Sequence, residues 1–453
     1  MPVDAYARMR IDGLAAAGDP TARARLNSLS RVCAIEGDSR GDYAHRAAGK
    51  TARGFPHWLE VISESRVFFP DALNTAVSGN NTEEVLARMP TSIAAAVAAG
   101  AGSMWIITGA NDRGALWNAA RTMTALNSVI SLVRAAGLLC FIWVDTARGD
   151  TVFGNNMDSS QYAVYQDVKI KYRALHNPQN GVFILDCTPA WDDPSSTICQ
   201  NLPYITYDTI HDSQKGAYQR ALSALPTVTK LWAPNPIIFP TSNSQGYSAT
   251  NPKGILTSNP MVTGTTGTIG AAAVNASGQL ANSWNLTCNG TGGTSLGSSI
   301  TTVLSKVTKS DGTVWQQAVL SGTPVGSSTT AAYVTFWQSV SLANAPAGSL
   351  VRTASQIEWD AGHTGILEIA VGSEASFSGG LVANYAGLND LAAKGFTARL
   401  GLLPTAGAYA YQNEGTLVPA SPTFHSMNIR IQTDTDTPIA LTMRFRACGA
   451  SLV

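Results

Sequence analysis

Ile35-Glu36-Gly37-Asp38-Ser39-Arg40-Gly41-Asp42 is the stretch from which the fold is read. It follows the apolar run Arg31-Val32-Cys33-Ala34-Ile35 and stands where a strand would hand over to a helix. A serine on such a tight turn holds its hydroxyl clear of the sheet, with its own N–H directed to where negative charge would develop. If the chain is an enzyme, Ser39 is its nucleophile. Gly-Asp-Ser is also ordinary turn chemistry, so the reading depends on what stands downstream.

Downstream, strand-like and helix-like runs alternate, the mark of βαβ units. Candidate strands are 31–36, 72–77, 103–108, 138–144 and 181–187; helical patterns cover 51–65, 82–99, 115–136, 160–175 and 213–225. Runs such as Met104-Trp105-Ile106-Ile107 are continuously apolar, as burial on both faces of a parallel sheet requires. Residues 1–27 read as a helical lead-in. The proline-rich run Ala233–Pro240 stops any helix, and 241–255, rich in Ser, Asn and Gly, read as a linker. Beyond it, short β-branched or aromatic runs alternate with Gly/Ser/Asn turns, at 299–306, 313–320, 331–342, 355–359, 365–371, 427–433 and 439–446. The expectation is an α/β catalytic domain over 28–240, then an antiparallel, jelly-roll-like β-sandwich over 256–453 that binds carbohydrate or mediates assembly.

A chain of 453 residues exceeds one core of usual size, in keeping with two domains. Its 30 Lys+Arg balance 30 Asp+Glu, which argues against the concentrated basic surface that a nucleic-acid partner requires. The six cysteines, Cys33, Cys140, Cys187, Cys199, Cys288 and Cys448, have no metal-ligand spacing. Buried thiols are expected, with Cys187 and Cys199 the pair that could bridge. No metal or other cofactor is called for. Met1–Leu26 has no apolar core of signal-peptide type, and no run reaches the roughly 18 apolar residues of a membrane span. A soluble protein is expected. If it acts outside a cell, either a leader was removed or it travels by another route, such as in a virus particle.

Three further polar motifs stand at the carboxyl ends of candidate strands or in the loop after one. Val77-Ser78-Gly79-Asn80 offers the Gly79 N–H, Gly109-Ala110-Asn111-Asp112 a side-chain amide, and Asp208-Thr209-Ile210-His211 a carboxylate three residues ahead of an imidazole. Singly these are a glycine turn, a helix cap and a polar loop. Jointly they stand where open α/β sheets build their sites, and they supply nucleophile, base, base-orienting carboxylate and oxyanion donors.

Over roughly residues 28–230 the four blocks resemble, in type and in chain order, those of the SGNH (GDSL-type) hydrolases. The resemblance implies a flavodoxin-like fold, Ser39 as nucleophile, His211 as general base and Asp208 as its orienting carboxylate. It also implies an oxyanion hole formed by the Ser39 N–H, the Gly79 N–H and the Asn111 amide. Arg40 replaces the apolar residue common in the first block, implying a more polar entrance. Asp212 follows His211 where proline is frequent, and so could share the role of Asp208. The expected activity is carboxylester hydrolysis, with O-acetyl groups of a polysaccharide as substrate. The architecture with its appended sandwich is similar to that of deacetylating phage tail spikes, which often form trimers, and to that of modular secreted carbohydrate acetylesterases; an extracellular or virion setting and a homotrimer are the expectations this resemblance implies. A lipase or arylesterase of the same superfamily, and a non-catalytic glycan-binding tail protein with a relic hydrolase domain, are the alternatives.

His45 and His57 read as surface or packed histidines on the next helix, and Asp186 as a pocket border or loop cap. Among Trp284, Trp315, Tyr333, Phe336, Trp337, Trp359, Tyr409 and Tyr411, most are expected in the sandwich core, with some free to stack on sugar.

Overall fold

The computed structural model describes residues 30–44, 54–63, 65–149, 158–196, 198, 200–233, 239–248, 250–251, 254–273, 275–290, 299–324, 332–389, 407–412, 415–434 and 437–452. The lead-in over 1–27, His45, Cys199 with its pairing to Cys187, and the side chains of Tyr409 and Tyr411 lie outside this description. The chain divides near residue 235 into two compact units.

The first unit is built on a four-stranded parallel sheet in the order β1 (Cys33–Gly37), β2 (Ser103–Ile107), β3 (Leu139–Trp143), β4 (Val182–Leu185). Its helices are α1 (Ser39–Asp42), α2 (Phe55–Ile62), α3 (Thr82–Ala98), α4 (Ala110–Gly114), α5 (Ala119–Ala135), α6 (Ser159–Ala174) and α7 (Gln214–Leu231). The apolar strands alternate between two covered faces. Met104, Ile106, Cys140 and Ile142 pack with apolar residues of α3, α5 and α6. On the other face Trp105 stacks on Phe141 with ring centroids 4.4 Å apart, and Phe55, Trp143 and Trp232 extend the aromatic layer. This is the flavodoxin-like arrangement expected of a parallel sheet with helices on both sides.

The expected strand at 72–77 is an irregular edge instead. Pro70 and a 3₁₀ turn at Asp71–Leu73 break the extended run, leaving isolated parallel bridges Val32 to Phe68 and Ile35 to Asn74. The segment still donates from Thr75 and Val77 to the carbonyls of Ile35 and Gly37, so it lies beside β1 on the side away from β2.

The second unit is a sandwich of two mixed, largely antiparallel sheets. One has the order β13-β12-β16-β10-β7-β5, with β5 (Thr266–Ile269), β7 (Leu280–Gly290), β10 (Ala332–Ser339), β12 (Ile366–Phe377), β13 (Gly380–Asn389) and β16 (Pro422–Thr433). The other has the order β14-β11-β17-β9-β8-β6, with β6 (Ala276–Gly278), β8 (Ile300–Thr308), β9 (Val314–Gly322), β11 (Leu350–Trp359), β14 (Gly407–Gln412) and β17 (Ile439–Leu452), and the short β15 (Thr416–Leu417) joins β11. The pairs β5 with β7 and β6 with β8 are parallel. Trp284, Phe336 and Trp359 fill the space between the sheets, whereas Tyr333 and Trp337 alternate with core residues of β10 and are half-buried. The described residues of 241–255, read as a linker, hydrogen-bond within this unit, Asn243 Nδ2 donating to Asn259 Oδ1 at 3.0 Å.

The described cysteines Cys33, Cys140, Cys187, Cys288 and Cys448 are buried thiols. No helix among the described residues is long and apolar enough to cross a membrane.

Candidate active site

β1 delivers Ser39 through a turn that is fixed from several sides. Glu36 is fully buried, and Arg88 Nη2 (2.6 Å), Ser92 Oγ (2.5 Å) and Thr75 Oγ1 (2.8 Å) all donate to its carboxylate. Gly37 lies so close to β2 that a Cβ there would run into the Ile107 carbonyl. Asp38 caps α1, its Oδ1 accepting from the Arg40 N–H at 2.9 Å. Burial raises the Asp38 carboxyl above its usual range, although the charge and N–H of Arg40 oppose the rise.

Ser39 Oγ lies 2.8 Å from His211 Nε2, and His211 Nδ1 lies 2.7 Å from Asp208 Oδ2. Asp208 Oδ1 accepts the His211 N–H at 2.9 Å and the Ile210 N–H at 3.3 Å. Burial alone would raise the Asp208 carboxyl; its hydrogen bonds from the His211 ring and these N–H groups, with the imidazole charge, outweigh that and hold it below the usual range. The turn itself is strained, since Thr209, a β-branched residue, sits at φ +84°. Tyr43 and Tyr207 flank the imidazole, with ring centroids 4.9 and 5.8 Å away.

Gly79 has φ +85°, a left-handed backbone that a side chain disfavours. Neither its N–H nor that of Ser39 donates to an acceptor among the described residues. Asn111, on α4, gives one of its two amide hydrogens to the Asn80 carbonyl at 2.9 Å, tying the third block to the second. Its neighbour Asp112 is scaffold: it accepts from the Thr82 N–H, Thr82 Oγ1 and Thr122 Oγ1 at 2.7–2.8 Å, joining α4 to α3 and α5.

Two sequence expectations are corrected. Asp212 does not serve His211, because it accepts from Arg220 Nε at 2.8 Å and Nη2 at 3.1 Å. Arg220 is buried over the rings of Trp143 and Trp191, and its guanidinium needs that carboxylate. Nor does Arg40 make the entrance polar. It is 4% exposed, pairs with Asp145 Oδ1 at 3.0 Å and donates from Nε to the Ile210 carbonyl at 3.1 Å, so it steadies the histidine loop from beneath. Asp145 also pairs with Arg113. Its place just after β3, at the carboxyl end of the sheet, was the available sequence signal for Asp145.

The other candidates lie in packing roles. His57 is on α2, edge-on to Trp58. Asp186 caps its loop through the Thr188 N–H and pairs with Arg173 at 2.7 Å. Among the described residues no group of three or more His, Cys, Asp or Glu could hold a metal ion.

Chemically, the row Ser39, His211, Asp208 can pass a proton from a hydroxyl to an imidazole whose orientation a carboxylate fixes. No protein-family model and no curated protein matches the chain. Among solved structures it is similar to a member of the lipolytic protein G-D-S-L family from Veillonella parvula, at 17% identity over 44% of this chain and 99% of that one, with a TM-score of 0.34. It is also similar to a GDSL-like lipase from Bacteroides thetaiotaomicron, at 11% identity over 46% and 94%, with a TM-score of 0.31. A further likeness is to carbohydrate-binding modules of the β-sandwich superfamily, at 14% identity over 36% and 56%, with a TM-score of 0.25.

Proposed function

We propose that the first unit is an SGNH-type carboxylester hydrolase working through an acyl-enzyme on Ser39. The observation that carries this reading is the continuous hydrogen-bonded row from Ser39 Oγ through His211 to Asp208. Ser39 Oγ attacks the ester carbonyl carbon while His211 Nε2 takes its proton, and Nδ1–H is held by Asp208. In this reading the negative oxygen of the tetrahedral intermediate is met by the Ser39 and Gly79 N–H groups and by the second amide hydrogen of Asn111. His211 then returns the proton to the departing alcohol. Water, deprotonated by the same imidazole, releases the acid and restores Ser39.

Within that class, the proposed reaction is removal of O-acetyl groups from a polysaccharide. The support for this choice is the appended sandwich, which would give a polymer a second place to bind. Such a substrate places the protein outside a cell or on a virus particle, where a homotrimer would multiply weak contacts with the polymer. The test compares wild type with Ser39→Ala and His211→Ala on an activated acetate ester, an octanoate ester and acetylated polysaccharides. Acetate release from a polysaccharide, lost in both variants, supports the reading. Preference for the octanoate would make the protein a lipase, and equal rates for wild type and Ser39→Ala would reduce the domain to a relic.

A further inference from the structure

The outer face of the six-stranded sheet carries a cleft that the ester chemistry does not use. It is open, holds about 370 Å³, and is lined by Thr287 of β7, Tyr333, Thr335 and Trp337 of β10, Glu374 of β12, and Phe424, Ser426, Asn428 and Arg430 of β16. That volume is in the range of small-ligand sites. The register explains why these side chains share a face. Thr335 stands opposite both Arg430 and Thr287, and Trp337 opposite Asn428, while the intervening Val334 and Phe336 point into the core.

The floor is organised in advance. Gly372 pairs with both Asn428 and Tyr385, and having no side chain it lets Asn428 Nδ2 reach across to the Tyr385 hydroxyl at 2.8 Å. That hydroxyl in turn donates to Glu374 Oε1 at 2.5 Å. Arg430 is neutralised by Glu368 at 2.8 Å, and its guanidinium lies over the rings of Tyr385 and Tyr333, 3.8 and 5.1 Å from their centroids. Trp337 and Phe424 meet edge to face, their rings 5.3 Å apart at 85°, so they form two walls at nearly a right angle. Phe424 is 37% exposed, so a large apolar ring is held at the rim in contact with solvent.

Aromatic walls over a floor of hydroxyl, amide and carboxylate groups suit one kind of occupant. A pyranose ring presents apolar C–H faces and an equatorial rim of hydroxyls, and needs both surfaces at once. A purely apolar ligand would cover the Thr287 and Thr335 hydroxyls and the remaining acceptor sites of Glu374 without meeting them, which is costly. An anionic ligand would gain little from Arg430, whose charge Glu368 already meets. Held side chains also reduce the ordering cost of binding.

We propose that this cleft is a saccharide-binding site for a short neutral segment of a glycan chain, with Trp337 and Phe424 stacking on a sugar ring, Glu374 and the Thr335 hydroxyl reading its hydroxyls, and Asn428 holding the floor beneath them. It is separate from Ser39 and stands or falls independently of the ester hydrolysis. The test uses the full-length Ser39→Ala protein in native gels cast with neutral polysaccharides (xylan, glucomannan, mixed-linkage β-glucan, dextran) and, as comparison, the acidic polysaccharides alginate and hyaluronan. At least one neutral polysaccharide should retard the protein. Trp337→Ala should weaken that retardation about tenfold or more, as removal of a central aromatic contact does. Thr335→Arg, which fills the cleft without removing any packed side chain, should do the same with an unchanged unfolding temperature. In the otherwise wild-type protein, neither substitution should alter hydrolysis of a small acetate ester. The proposal is overturned if no neutral polysaccharide retards the protein, if only the acidic ones do, or if retardation survives Thr335→Arg.

Discussion

Two aspartates four residues apart in the histidine loop should behave in opposite ways when made neutral, and the structure sets the size of each effect. Asp208→Asn keeps the shape of the side chain but cannot hold the Nδ1–H tautomer of His211 in place or stabilise the imidazolium. In serine hydrolases of this logic such a change lowers kcat by about 10⁴. The Asp208 side chain is 37% exposed, so water replaces part of what is lost, and a drop of about 10³, or ~4 kcal/mol in activation free energy, is expected. The same exposure keeps the effect on stability within about 1 kcal/mol. Asp212→Asn is the converse case. Its partner Arg220 has a side chain 1% exposed, and an uncompensated buried guanidinium costs about 3 kcal/mol or more, while Ser39, His211 and Asp208 remain in register. The assay pairs kcat on an activated acetate ester with urea unfolding of each variant. Asp208→Asn should be slow and stable, and Asp212→Asn active and unstable. If Asp212→Asn lost the rate while Asp208→Asn kept it, the assignment of the orienting carboxylate would be refuted.

Removing the proposed oxyanion amide by Asn111→Ala should lower kcat by about 10²–10³ with little change in KM; an effect confined to KM would make Asn111 a binding residue. In the second unit, burial lowers the pKa of His425 to about 4, beneath its ordinary value of about 6.5. Its folded form favours neutral imidazole, so this unit's stability is fully present above about pH 6.5 and falls by about 3 kcal/mol as pH drops to 4. His425→Leu should flatten that slope, and an unchanged slope would show that other groups set it.

The parallel sheet was legible because both of its faces are covered: runs such as Leu138–Val144 have no polar face to confuse the period. The edge at 72–77 was misread because its apolar residues match a strand while Pro70 and the turn after it break the backbone hydrogen bonding. α7 was expected to end at residue 225 but continues through Pro226 to Leu231, since Ala221, Ala224, Val228 and Leu231 keep a buried stripe on both sides of the proline. In the sandwich, β7 and β13 were missed because Asn, Ser and Gly interrupt the apolar positions of Leu280–Gly290 and Gly380–Asn389 and read as turns. Ser39, Asp208 and His211 were named from local motifs and the family resemblance those motifs carry, since each block is local in sequence. Partners far apart in the chain could not: Arg40 meets the Ile210 carbonyl and Arg220 takes Asp212 out of the site only once the chain has folded.

Labelling with a fluorophosphonate, followed by intact mass and peptide mapping, decides whether Ser39 is the nucleophile, because only a hydroxyl activated by its neighbours reacts at neutral pH. A single adduct per chain is expected on the peptide containing Ser39, absent in Ser39→Ala, strongly slowed in His211→Ala, and formed in step with loss of ester hydrolysis. An unlabelled Ser39, or full inactivation with the adduct on another residue, would contradict it.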